Sequence, residues 1–247
     1  ATLIGADPRE VYFTSGATES NNLAIKGTIA ACSDRPFHMV TMSTEHHAVL
    51  DPCRRLERDG IEVTYVPPLR DGVININAFE QALRPHTRLT SVMMANNEIG
   101  VLQPIAAVAR LASERGIVFH TDAAQAVGKV PVDVGTLGVD LLSFTAHKIY
   151  GPKGIGALYV RRRRPKLMLA PLIDGGGHEH GLRSGTINVP GVVGFGAAAE
   201  ICGQEMTAEA SRVAVLRDRL LDGLTNRVSG VTVNGSMSFR LPHNLNT

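Results

Sequence analysis

The chain has 247 residues and a formal net charge of +2, with 44% hydrophobic and 19% charged residues. This composition is typical of a folded domain and excludes an intrinsically disordered chain. The nearly balanced charge favours neither a nucleic acid nor a membrane surface as a partner, and no run of apolar residues is long enough for a transmembrane helix.

Short apolar runs alternate with helical patterns along the chain. The predicted strands are residues 11–13, 38–42, 62–66, 89–94, 117–121, 141–144 and 157–160. The predicted helices are residues 19–31, 49–59, 77–83, 105–115, 192–202 and 207–227. This alternation predicts an α/β fold with a mostly parallel seven-stranded sheet flanked by helices.

Polar residues follow most of the predicted strands directly. In chain order these segments are residues 14–21, 44–47, 96–100, 122–125 and 145–148. Parallel α/β sheets bind their ligands beyond the carboxyl ends of the strands. We therefore expect an active site at this edge of the sheet.

Residues 15–18 (Ser-Gly-Ala-Thr) join the first strand to a helix. Gly16 allows a ligand to approach the backbone, and the N-terminal end of the helix favours a phosphate group. The alternative interpretation is an ordinary helix cap by Thr18.

Lys148 and Asp122 each follow a predicted strand. Either residue alone is commonly a solvated surface group or a turn residue. Together they suit pyridoxal phosphate (PLP), because a lysine can form the Schiff base while an aspartate keeps the pyridine nitrogen protonated. His46 is a candidate for stacking on the cofactor ring and moving protons, although an isolated histidine is more often bonded to the backbone.

Two other kinds of site are disfavoured. His46, His47, His178 and His180 have no cysteine or carboxylate at a recognised ligand spacing, so we expect no metal site. The glycine-rich residues 151–156 lack the dinucleotide-binding spacing and lead into a strand, which argues against NAD.

Three cysteines, Cys32, Cys53 and Cys202, are present without paired spacing. An odd number in helical stretches indicates buried thiols and a reducing compartment, the cytoplasm or, in a eukaryote, the mitochondrial matrix. The N-terminus lacks the features of a signal peptide. Both ends of the sequence read like the middle of a domain, so we expect a fragment of a longer chain.

From about residue 11 onward, the chain resembles the cysteine desulfurases, fold-type I PLP enzymes of the class V aminotransferase-like family, in the branch that supplies sulfur for iron–sulfur cluster assembly. The resemblance implies a PLP-binding large domain over residues 1–203 and only the start of a small C-terminal domain over residues 204–247. The motifs that carry it lie at residues 14–21, 44–46, 96–101, 120–125, 147–156, 175–179 and 183–186.

The resemblance also implies residue roles. Lys148 matches the Schiff-base lysine, Asp122 the partner of the pyridine nitrogen, and His46 the stacking histidine that moves protons. Thr186 matches a residue that reaches the cofactor phosphate across a homodimer interface. Further cofactor contacts are implied for Ala17, Thr18, Asn97, Gln125, Thr145 and His147.

The implied activity is conversion of L-cysteine to L-alanine, with sulfur passed as a persulfide to an iron–sulfur scaffold or another carrier protein. In the family, the catalytic cysteine and the arginine for the substrate carboxylate lie beyond the position of Thr247, so we expect residues 1–247 alone to be inactive. The alternatives are a selenocysteine lyase-like PLP enzyme and a non-catalytic PLP-binding fragment.

Overall fold

The computed structural model describes residues 1–33 and 36–247. Within these residues, seven strands form one sheet in the order β1-β7-β6-β5-β4-β2-β3. Neighbouring strands are parallel except around β7, which runs antiparallel to both β1 and β6. The predicted mostly parallel seven-stranded sheet is confirmed. Its strands are β1 Val11–Thr14, β2 His38–Met42, β3 Glu62–Val66, β4 Thr87–Ser91, β5 Val118–Asp122, β6 Leu141–Thr145 and β7 Gly156–Val160.

The helices agree with the sequence analysis in number and order up to the fourth. They are α1 Ala17–Ala31, α2 His47–Arg58, α3 Ile76–Ala82, α4 Ile105–Glu114, α5 Val134–Leu137 and α6 Val189–Arg227. Short 3₁₀ helices lie at Thr2–Ile4, Pro8–Glu10, Ala146–Ile149 and Glu179–Gly181. Among the residues described, no helix has both the length and the apolar character needed to cross a membrane.

The prediction of two separate helices at 192–202 and 207–227 is wrong, because α6 is one continuous helix of 39 residues. The residues between the two predicted helices contain no proline, and a single glycine, Gly203, costs a helix only about 1 kcal/mol. The sequence analysis also missed α5, which has only four residues and therefore shows no helical periodicity.

Helices cover both faces of the sheet. On one face, Ile25 of α1 and Cys53 of α2 pack with Met39 and Leu89. On the other face, Val108 of α4 belongs to the larger cluster that includes Val40 and Phe119. Met39 and Val40 are neighbours in β2, so their opposite directions follow from the alternation of side chains along a strand. Burial on both faces leaves the strand ends as the accessible part of the sheet.

The long helix α6 changes its surroundings along its length. Its buried residues are Gly191, Phe195, Ala198 and Cys202, and no later residue of the helix is buried. We propose that the boundary between a large domain at 1–203 and a small domain from 204 lies here, within a continuous helix.

The C-terminal segment returns to the loop that follows β4. The N–H of Leu102 donates to the Phe239 carbonyl at 2.9 Å, and the N–H of Leu241 donates to the Gly100 carbonyl at 2.8 Å. The side chain of Asn244 donates to the Glu98 carbonyl at 3.0 Å. Residues from the end of the chain therefore hold the loop at 96–102.

Candidate active site

A cavity of about 550 Å³ lies at the carboxyl ends of the parallel strands. Segments that follow β1, β2, β4, β5 and β6 all contribute to its wall. This is the edge of the sheet at which the sequence predicts a site. The predicted site residues that line the cavity are Ala17, Thr18, His46, Asn97, Asp122, Gln125, Thr145, His147 and Lys148.

Thr186 is the predicted site residue that lies outside this cavity. It is exposed and lines a smaller neighbouring depression of about 90 Å³, together with Arg183 and Asn188. The role of Thr186 across a dimer interface stays a prediction.

The N-terminal end of α1 forms one wall of the cavity. The helix begins at Ala17 with Gly16 as its N-cap, and no side chain caps its first turn. The alternative interpretation of Thr18 as the helix cap is therefore wrong. Uncapped N–H groups at a helix N-terminus, together with the helix dipole, favour an anionic ligand such as a phosphate.

The segment at the end of β6 adds a hydroxyl and an imidazole group to the lining of the cavity. The Thr145 hydroxyl lies 3.0 Å from His147 Nδ1 and donates to the Ile155 carbonyl at 3.1 Å. Partial desolvation, with the positive charges of Lys148 and Lys153, lowers the pKa of His147. The uncapped N–H groups of α1 supply the hydrogen-bond donors that a phosphate requires, and Thr145 and His147 line the same cavity.

An ion pair between Glu19, which lines the cavity, and Arg183 fixes the first turn of α1. The Glu19 carboxylate accepts the N–H of Ser15 at 2.8 Å and Arg183 Nε at 3.0 Å. Both side chains are mostly buried, with 14% exposure for Glu19 and 23% for Arg183. The pair connects the turn at 15–16 to the loop that carries Thr186.

Gly156, at the start of β7, allows the turn at Gly16 to lie against the sheet. A Cβ atom at position 156 would lie 2.6 Å from Gly16 Cα and 2.9 Å from the Phe144 carbonyl oxygen. Both contacts involve backbone atoms, which cannot move without displacing the turn. Gly156 is therefore a steric requirement of this wall of the cavity.

We expect Gly156→Ala to weaken PLP binding about tenfold, or about 1.4 kcal/mol, because the turn at Gly16 must shift. Overpacking of this kind also lowers the free energy of unfolding by about 1–3 kcal/mol. Titration of PLP by fluorescence and denaturant unfolding measure the two effects. Gly203→Ala is the matched control, because a Cβ atom there meets nothing within 4 Å. Equal affinity in both variants would show that Gly156 does not shape the site.

Asp122 lies at the base of the cavity and is 5% exposed. Its Oδ2 accepts from Asn21 Nδ2 at 2.7 Å, and its Oδ1 accepts the N–H of Ala124 at 2.9 Å. Burial raises the pKa of Asp122, while the two hydrogen bonds and the charges of His46 and Lys148 oppose that shift. This carboxyl group is thus positioned firmly and faces cationic groups.

His46 and Lys148 line the same cavity as Asp122 but belong to different elements. His46 is the N-cap of α2, and its Nδ1 accepts the N–H of Ala48 at 3.1 Å. A neutral His46 therefore carries its proton on Nε2, the nitrogen that remains available. Lys148 lies on the 3₁₀ turn Ala146–Ile149 after β6, where its side chain is exposed.

Several cavity residues were not identified from the sequence. Asn21 lies one helical turn after Ala17, and this i to i+4 spacing was the signal that could have found it. Lys153 and Gly154 precede β7, whose antiparallel direction brings its N-terminal end to the site. The cavity residues without a predicted role are Glu19, Asn21, Ala48, Met93, Ala95, Ala124, Lys153 and Gly154.

The residues around the cavity fit PLP. The uncapped α1 terminus and the Thr145–His147 pair suit its phosphate, Asp122 suits a protonated ring nitrogen, and Lys148 supplies an amine for its aldehyde. No cluster of three or more histidine, cysteine or carboxylate groups that could hold a metal ion occurs among residues 1–33 and 36–247.

The family described as Aminotransferase class-V matches residues 1–244 of this sequence. The match covers nearly the whole sequence and agrees with the sheet and the cavity, so the chain belongs to the class V aminotransferase family.

Individual proteins and solved structures within this family are similar to the chain. A protein named cysteine desulfurase IscS from Anaeromyxobacter dehalogenans is 55% identical over 246 residues, which cover 100% of this chain and 61% of the relative. A solved structure named NIFS-like protein has a TM-score of 0.94 at 40% identity, covering 99% of this chain and 66% of that one. Another, titled SspA in complex with cysteine, has a TM-score of 0.78 at 49% identity, covering 81% and 57%. The chain thus spans about three fifths of the length of the curated relatives that it matches.

Proposed function

We propose that the protein is a PLP-dependent cysteine desulfurase, which converts L-cysteine to L-alanine and passes the sulfur as a persulfide for iron–sulfur cluster assembly. One observation carries the proposal: Lys148 and Asp122 share one cavity with the uncapped N-terminus of α1. The high identity to relatives named cysteine desulfurase supports the choice of reaction.

The residues that would hold PLP divide by the part of the cofactor that they suit. The phosphate would be held by the first turn of α1 with Thr145 and His147, and Asp122 would pair with the ring nitrogen. Asn97 and Gln125 are assigned to the ring oxygen and His46 to the ring face, as the family resemblance implies. When bound, PLP supplies an electron sink for negative charge at the substrate Cα.

The protein's own groups then manage the protons. Lys148 Nζ would take the proton from the substrate Cα, because an amine that lines the cavity can act as a general base. Asp122 would remain ionised and keep the ring nitrogen protonated, since fixed electrostatic groups act most strongly where charge develops. His46 Nε2, which carries a proton in the neutral ring, would exchange protons with the substrate.

Sulfur transfer requires a thiolate. The thiolate would attack the substrate sulfur and form an S–S bond, while the C–S bond breaks and its electron pair passes to the substrate carbon, which is then protonated to give alanine. None of Cys32, Cys53 and Cys202 is among the residues around the cavity. Burial raises the pKa of Cys53 to about 12 and also raises the pKa of Cys202. We therefore assign the nucleophile to none of these three residues.

We expect a polypeptide limited to residues 1–247 to form no alanine from L-cysteine, even when it binds PLP. A catalytic thiol must be both reactive and able to reach the substrate, and none of the three meets both requirements. Amino-acid analysis and a sulfide assay after incubation with L-cysteine, without added thiol, measure the outcome. Sustained alanine formation would contradict the expectation, and single cysteine-to-serine variants would then identify the thiol responsible.

The proposed partners are L-cysteine, a second copy of the chain, and a scaffold or sulfur-carrier protein. The structure titled SspA in complex with cysteine supports the substrate. The exposure of Thr186, outside the cavity of its own chain, supports a role across a dimer interface. We propose that the protein works in the cytoplasm, or in the mitochondrial matrix of a eukaryote, where thiols stay reduced.

The decisive experiment uses the full gene product loaded with PLP. A visible absorption band separates a PLP binder from a protein without cofactor, and alanine formation from L-cysteine separates an enzyme from a non-catalytic binder. Parallel assays with L-cysteine and L-selenocysteine test the selenocysteine lyase alternative. A cofactor band without alanine from either substrate would overturn the proposed activity.

A further inference from the structure

Glu45 is a buried carboxyl group that the proposed reaction does not use. It lies beyond the carboxyl end of β2, at the same edge of the sheet as Asp122, and is 5% exposed. Its Oε1 accepts the N–H of Met93 at 2.7 Å. Its Oε2 is buried and has no hydrogen-bond partner within the described part of the chain.

Glu45 and Asp122 are coupled electrostatically. Burial, together with the negative charge of Asp122, raises the pKa of Glu45 well above its usual range. An ionised Glu45 would also act on the thiol of Cys53 on α2. Its negative charge would raise the pKa of that thiol further. Burial disfavours the ionised form of both carboxyl groups, and the charge of Asp122 further favours the protonated form of Glu45.

The hydrogen bonds indicate which carboxyl group is better suited to carry a charge. Asp122 accepts two N–H donors, from Asn21 and Ala124, and the positive charge of Lys148 favours its ionised form. Glu45 accepts one donor and leaves an oxygen unpaired. Since donors and cations stabilise an anion, the negative charge belongs on Asp122 and the proton on Glu45.

A second unpaired oxygen lies in the same cluster. Asn21 donates to Asp122 through Nδ2, and its own Oδ1 is buried without a partner. Buried acceptors without donors are costly and uncommon. A protonated Glu45 carries a hydroxyl donor, so its Oε2 could donate a hydrogen bond, which an ionised carboxylate cannot do.

We propose that Glu45 is a neutral carboxylic acid and a positioning residue for Asp122. It holds the peptide of Met93, and the next N–H along the chain, that of Met94, donates to the Asp122 carbonyl at 2.8 Å. In this arrangement Asp122 is the single negative charge of the buried pair. The benefit to a bound cofactor rests on the proposed function, whereas the protonation state of Glu45 does not.

The test compares Glu45→Gln with Glu45→Ala. Glutamine keeps an acceptor for the Met93 N–H and replaces the hydroxyl donor by an amide donor, so we expect its PLP affinity to stay within about twofold of the wild type. Alanine leaves the Met93 N–H unpaired, so we expect about tenfold weaker binding, or about 1.4 kcal/mol. PLP titration by fluorescence measures both.

A second measurement does not require the cofactor. Carbon-13 NMR of the apo protein, with labelled glutamate side chains, reports the protonation of each carboxyl group. We expect one carboxyl resonance to remain in the protonated position at neutral pH, where ordinary glutamates with a pKa of about 4.3 are ionised, and to be absent from Glu45→Gln.

The two measurements separate the possible failures. A Glu45 resonance that is ionised at neutral pH, or a glutamine variant that loses PLP affinity as the alanine variant does, would overturn the assignment. A glutamine variant that does not fold would also overturn it, since glutamine closely matches a neutral glutamic acid. If the NMR result holds but no form of the protein binds PLP, only the proposed function fails.

Discussion

Replacing Lys148 with alanine is expected to abolish covalent attachment of PLP and to lower the rate of alanine formation at least about a thousandfold, or about 4 kcal/mol in activation free energy. The loss is large because one side chain serves two purposes. Its amine would anchor the cofactor and would also take the Cα proton. Borohydride treatment of the wild-type holoprotein, followed by peptide mass spectrometry, should place the label on the peptide that contains Lys148.

Lys153→Ala is the matched control, because Lys153 lines the same cavity and carries the same charged group. We expect this variant to retain the covalent label on Lys148. Label on Lys153 in the wild type, or normal labelling after Lys148→Ala, would refute the assignment. A low label in both variants would point to a general loss of the cavity, which near-ultraviolet circular dichroism can detect.

Replacing Asp122 with asparagine is expected to slow Cα deprotonation more than a hundredfold while PLP binding weakens much less. A buried anion opposite the ring nitrogen matters most when charge develops, so its removal costs about 3 kcal/mol in the rate. Asparagine keeps an oxygen that can accept the hydrogen bond from Asn21 Nδ2, which preserves the local geometry. Exchange of the substrate Cα proton with deuterium, followed by NMR, measures this step separately from sulfur transfer.

The control for this variant is Asp71→Asn. Asp71 is exposed, and its carboxylate accepts the N–H of Val73. We expect wild-type exchange rates from this control. Exchange at the wild-type rate in Asp122→Asn would show that Asp122 is not the partner of the ring nitrogen. Loss of PLP in equal proportion to the rate would instead assign Asp122 a purely binding role.

The parts of the site that the sequence analysis found are those that follow parallel strands. Asp122 and Lys148 each come at or just after the end of a buried strand, so the rule about carboxyl ends located both. His46 and Asn97 were found in the same way, from the segments after β2 and β4. The sheet itself was predictable because its strands are short apolar runs between helices with clear periodicity.

Other features could not be predicted because they depend on contacts distant in sequence. Lys153 precedes its strand, and it reaches the site only because β7 reverses direction. The importance of Glu45 comes from an unpaired oxygen, which is visible only when its surroundings are known. The continuity of α6 was missed because residues 203–206, which begin with Gly203, separate two helical patterns in the sequence.

The return of the C-terminal segment to residues 96–102 also sets an order in time. The Glu98 carbonyl bonds to Asn244, which lies 146 residues later in the chain. At a synthesis rate of about 5–20 residues per second, a ribosome takes about 7–30 s to make the intervening polypeptide. During that interval the residues of β1, β2 and β4 have already been synthesised. The loop that carries Asn97 still lacks its hydrogen bonds to the C-terminal segment. Long-range closure of this kind is slow to form, so we expect the cavity to be completed late in folding.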